Sequence, residues 1–188
     1  GAFLPQENFG LLSLSLSARG CGFDPFSDYM RADLALYVDT LDYGGYRFND
    51  LGLDAVLDSG IVSAHILGVD SAVRLDLNLS GSLSPAEYTA HLAGEIDWLD
   101  LKTARFTDDS LTLSSSVDIR AWANDKNEYS VKTRFDMMGL HLFDMDNRFE
   151  HIVVTGDMLR DSLDARIDFP GVRVAFSSPA GIDSFISR

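Results

Sequence analysis

Apolar and polar residues alternate with a period of two along most of the chain. The cleanest run sets Val73, Leu75, Leu77 and Leu79 against Arg74, Asp76, Asn78 and Ser80. Leu12, Leu14 and Leu16 interleave in the same way with Ser13, Ser15 and Ser17, and Leu34, Leu36 and Val38 with Asp33, Ala35 and Tyr37. Leu51, Leu53, Ala55 and Leu57 form one side of a further run. Successive strand residues point to opposite faces, so each run predicts a strand with one apolar and one wet side.

The second half repeats the pattern. Tyr88, Ala90, Leu92, Gly94, Ile96 and Trp98 fall on one phase, opposite Thr89, His91, Glu95 and Asp97. Leu111, Leu113, Val117, Ile119 and Ala121 follow, then Tyr129, Val131 and Phe135, Ile152 and Val154, Leu163, Ala165, Ile167 and Phe169, and Val172, Val174 and Phe176. Turn-forming residues stand at the breaks: Asp42 to Gly45, Asp58 to Gly60, Gly81 to Pro85, Asn124 to Asn127, and Pro170-Gly171. Short turns make successive strands antiparallel neighbours, so the expected fold is all-β, a long antiparallel meander over residues 1–178. The alternative is a closed β-sandwich or solenoid. Beyond it, Ser178 as cap, Pro179 at the first helical position and the spacing of Ile182, Phe185 and Ile186 predict the start of a helix over 179–188. Phe48, Leu51, Leu53, Leu57, Ala64 and Ile66 match Phe149, Ile152, Val154, Met158, Ala165 and Ile167 at a constant offset, which suggests repeat units over 46–80 and 147–178.

Composition narrows the chemistry. A chain of 188 residues, 46% of them hydrophobic, can fold without disulfides or metals, and its lone Cys21 cannot form an internal bridge. The net charge of −14 repels phosphate backbones, which argues against nucleic acid as a partner. No segment has the roughly 20 consecutive apolar residues of a membrane-spanning helix. His65 and His91 fall on polar phases, while His141 and His151 bracket Asp144 and Asp146 without the spacing of a metal site. The stretch from Asp144 fails as a calcium loop, because Phe149 stands where the turn glycine belongs and Thr155 where the final carboxylate belongs. No nucleophile elbow, phosphate loop or dinucleotide fingerprint occurs, so neither an enzyme nor a cofactor is expected. Trp98 continues an apolar run; Trp122 falls on a polar phase and is the better candidate for an exposed sugar-stacking contact.

Arg74-Leu-Asp-Leu-Asn-Leu-Ser-Gly-Ser-Leu83, Tyr46-Arg-Phe-Asn-Asp-Leu-Gly-Leu-Asp54 and Leu163-Asp-Ala-Arg-Ile-Asp-Phe169 resemble the strand repeats of AsmA-like proteins, TamB among them. The resemblance covers roughly residues 11 to 178. It implies a U-shaped, taco-like sheet with an apolar inner face, cut from the interior of a periplasmic protein anchored in the inner membrane. It further implies that this groove carries lipid between the inner and outer membranes and supports outer-membrane biogenesis. The implied partners are phospholipid or another acyl-chain ligand, adjoining β segments of the parent chain, and an outer-membrane barrel protein. On that reading the groove lining is Leu75, Leu77, Leu79, Leu92, Ile96, Val117, Ile119, Val131, Phe135, Val154, Leu163 and Ile167. The competing function is adhesion or carbohydrate binding by a sandwich of a secreted protein.

Overall fold

The computed structural model describes residues 9–22, 24, 26–142, 145–159 and 162–178. They form eleven strands: β1 (Phe9–Cys21), β2 (Arg31–Tyr43), β3 (Tyr46–Asp58), β4 (Ile61–Val69), β5 (Val73–Leu83), β6 (Glu87–Asp100), β7 (Leu111–Asn124), β8 (Tyr129–Leu142), β9 (Met145–Leu159), β10 (Ser162–Phe169) and β11 (Val172–Ser178). All lie in one antiparallel sheet in chain order, with β1 and β11 as its two edges. The meander is therefore as expected and the sheet is not closed. A sandwich needs two facing sheets, so the single sheet excludes that alternative. No helix occurs among the described residues, and the helix expected over 179–188 lies outside them.

Turn chemistry explains the hairpins. Gly44 and Gly45 have φ of 59° and 84°, and Ser59 and Gly60 have φ of 52° and 79°. Two consecutive positive φ values give a two-residue turn whose twist matches that of the strands it joins. β4 was not among the alternating runs, because Ile61, Leu67 and Val69 make its second face apolar too.

Hairpins β3–β4 and β9–β10 hold the same register at the offset seen in the sequence. Leu53 faces Ile66 and Ala55 faces Ala64; likewise Val154 faces Ile167 and Gly156 faces Ala165. The equivalence stops there. Ile66 faces Leu77 in β5, whereas Ile167 faces Val174, four positions short of the match at Ser178.

Only Phe48, Ala72, Ala104, Val117 and Ile152 are buried apolar residues among those described. Three of them, Phe48, Ala72 and Ala104, form one cluster with Leu41, Tyr43, Tyr46, Leu51 and Val73. The β6–β7 loop (101–110) closes this cluster, placing the Phe106 ring 6.4 Å from Tyr43 and 6.2 Å from Phe48. Beneath it the buried Asp70 carboxylate accepts hydrogen bonds from Tyr46 Oη at 2.7 Å, Asn49 N at 3.0 Å and Ala72 N at 2.8 Å. Burial raises the Tyr46 phenol above its ordinary range. At the other end of the sheet, Phe26 of the β1–β2 loop meets Tyr88 of β6 at 6.2 Å. The whole chain exposes 12628 Å², against about 8,900 Å² for a compact globule of its 20.7 kDa.

Candidate functional site

Directly opposed residues of neighbouring strands project to the same face, so the register assigns every side chain to one of two sides. One row crosses the entire sheet: Ala18, Leu34, Ala55, Ala64, Leu79, Leu92, Ile119, Thr133, Val154, Ile167 and Val174. A second runs Leu16, Leu36, Leu53, Ile66, Leu77, Gly94, Val117, Phe135 and Ile152. At about 4.8 Å per strand step, the first row is about 48 Å long.

All twelve residues singled out from the sequence fall on this Leu77 face. Leu75 pairs with Ile96, Val131 stands between Ala121 and Gly156, and Leu163 stands between Met158 and Ser178; the remainder lie in the two long rows. Their burial is uneven. Val117 is 5% exposed, most of the others are half-buried, and Val131 and Ile167 are exposed. Sequence reasoning left out Ile66 and Ile152, which the register puts in line with Leu77.

The opposite, Asp76 face carries charge in local pairs. His65 Nε2 lies 2.8 Å from Asp76 Oδ1, and His91 Nε2 lies 2.9 Å from Asp118 Oδ2. Arg120 also bonds Asp118, at 3.1 Å, and Arg134 bonds Asp136 at 2.6 Å. The hydrogen bond from His91, followed by that from Arg120, holds the Asp118 carboxyl below the usual carboxylate range; Arg134 does the same for Asp136. His141 Nδ1 pairs with Asp146 at 2.7 Å, and no group of three or more metal-ligating side chains occurs among the described residues. Asp100 caps its own turn, accepting from Thr103 N and Thr103 Oγ1 at 2.9 and 2.8 Å. Cys21 is exposed, with Sγ 3.5 Å from the Tyr29 carbonyl oxygen.

Trp98 is on the wrong side for the sequence expectation. The β5–β6 ladder runs Leu75–Ile96 and then Arg74–Trp98, so β6 carries one extra residue at Asp97. This bulge inverts the phase. Trp98 joins Arg74 on the Asp76 face, and Leu99, opposite Val73 and Leu113, takes over the Leu77 side. A second bulge at Met137, with φ of 51°, realigns β8 so that Leu140 faces Leu113 and Gly139 faces Ser114. Between the two bulges lies a groove of about 410 Å³, lined by Trp98, Thr112, Ser114, Gly139, His141, Arg148 and neighbouring residues. Trp122, the tryptophan preferred from the sequence, is on the Asp76 face between Thr89 and Ser130 and is half-buried.

No family model matches the chain, and no curated protein or solved structure proves significantly similar to it.

Proposed function

We propose that this chain is a segment of an AsmA-like cell-envelope protein whose Leu77 face is the inner wall of a trough for acyl chains. The observation that carries the reading is the row from Ala18 to Val174, apolar at every position but Thr133 and unbroken across eleven strands. An apolar strip of this length, half-buried at best and with no second sheet over it, exceeds what a soluble monomer ordinarily leaves uncovered. An acyl chain laid along it keeps about 0.8 kcal/mol of each methylene's transfer free energy out of water. Passage needs continuity along the strip and no catalysis.

Curvature is supported by the two ring contacts at opposite ends of the sheet. β2 and β6 are four strand steps apart, about 19 Å in a flat sheet. Yet the loops beside them meet through Phe106 with Tyr43 and Phe26 with Tyr88. The paired charges of the Asp76 face suit an outer wall in contact with water. On this reading the parent protein is anchored in the inner membrane and lies in the periplasm. Its β1 and β11 edges pair with adjoining segments, and an outer-membrane barrel protein receives the cargo.

Titration of the purified chain with a fluorescent NBD-labelled phospholipid tests the reading. Saturable emission enhancement that is lost in Ile119→Asp and retained in Arg120→Ser is expected. Equal loss in both variants, or no enhancement at all, counts against the trough.

A further inference from the structure

We infer that the groove around Trp98, on the Asp76 face, is a saccharide-binding site. It is independent of the acyl-chain reading, since it lies on the opposite side of the sheet.

Three observations converge there. First, the Asp97 bulge turns the Trp98 ring onto the Asp76 face, beside Arg74. An indole presents a flat apolar surface to the C–H side of a sugar ring while its neighbours remain wet. Second, two neighbouring strand positions lining the groove are small, Ser114 opposite Gly139, with Arg148 next across the sheet. The resulting depression of about 410 Å³ falls within the size range of small-ligand sites, about 300–1,000 Å³.

Third, apart from the His141–Asp146 pair, the hydrogen-bonding side chains Thr112, Ser114, Arg148 and Glu150 at the rim are uncommitted. Elsewhere on this face His65, His91, Arg120 and Arg134 are each engaged by an aspartate. In the groove, Thr112, Ser114, Arg148 and Glu150 have no side-chain hydrogen bond or ion pair among the described residues. Hydroxyls, one guanidinium and one carboxylate together offer donors and acceptors of both signs, which is what a ring of sugar hydroxyls requires. A phosphate-bearing ligand would call for clustered cations, and the chain's net charge of −14 disfavours it. The composition of the rim therefore selects a neutral or N-acetylated saccharide.

The chain contains two tryptophans, so Trp122→Phe leaves Trp98 as the only indole emitter. Fluorescence of that variant, titrated with N-acetylglucosamine trimer and with maltotriose, reads the groove directly. A saturable change with at least one of them, half-complete near about 1 mM, is expected. Arg148→Ala and Gly139→Val should each weaken it about tenfold. The Cβ of Gly139→Val would meet only the movable Ser114 Oγ, at 2.7 Å. Circular dichroism confirms that both variants are folded. No saturable change with either saccharide up to about 10 mM overturns the inference. So does binding that both folded variants leave unaltered.

Discussion

Leu77 of β5 stands opposite Gly94 of β6, and the two backbones approach so closely that a Cβ on Gly94 would lie 2.1 Å from the Asp76 carbonyl oxygen. Gly94 also has φ of 153°, which side chains rarely adopt. Gly94→Ala should therefore force β5 and β6 apart in the middle of the sheet and cost about 1–3 kcal/mol. Urea denaturation checks this; Gly156→Ala is the control, since nothing lies within 4 Å of its added Cβ. Equal midpoints for the two variants would refute the close approach.

Asp70 ties β3 to the β4–β5 turn through Tyr46 and two backbone amides. Asp70→Ala leaves the Asn49 and Ala72 amides without their acceptor, while Tyr46 Oη keeps Ser71 Oγ at 3.0 Å, and should cost about 1–3 kcal/mol. Asp70→Asn keeps part of the network and should cost less. The same denaturation series, with the loss confined to Asp70→Ala or graded between the two, measures it.

Phe106 is exposed, yet its ring links the β6–β7 loop to Tyr43 and Phe48. Phe106→Ala should cost about 1 kcal/mol. It should also open residues 101–110 to limited proteolysis ahead of the rest of the chain. A digestion pattern matching the parent sequence's would show that the loop is held by other contacts.

Asp118 and Asp136 have folded-state acidities strengthened by His91 and Arg120 and by Arg134. A carboxyl whose pKa is depressed on folding stabilises the fold above its unfolded pKa, near 3.9, and that contribution disappears as pH falls through the lower folded value. Stability should accordingly drop on the acid side of about pH 4. Asp118→Asn combined with Asp136→Asn should make that acid limb shallower. An unchanged limb in the double variant would mean that other carboxyls control it.

How far the fold could be read from sequence depends on the strand. β5 was fully legible: Leu75, Leu77 and Leu79 alternate with Arg74, Asp76 and Asn78 without interruption, and the register confirms one face for each set. The glycine turns at Gly44-Gly45 and Ser59-Gly60 were legible for the same local reason. β6 was not, because a bulge at Asp97 depends on partner strands on both sides, and no local residue preference marks it. The phase was therefore carried one position too far, to Trp98. The bulge at Met137 has no local mark either, since methionine gives no sign of a left-handed conformation. The aromatic contacts of Phe106 and Phe26 are non-local and have no periodic signature.

The trough is tested most directly by photocrosslinking in cells, with a photoreactive residue placed in the intact protein at Leu77 or Ile119 and, for comparison, at Asp76 or Arg120. Register puts the first two on one face and the last two on the other. Lipid adducts identified by mass spectrometry at Leu77 and Ile119, and absent at Asp76 and Arg120, are the expected result. Adducts at all four positions, or at none, would contradict a lipid-carrying inner face.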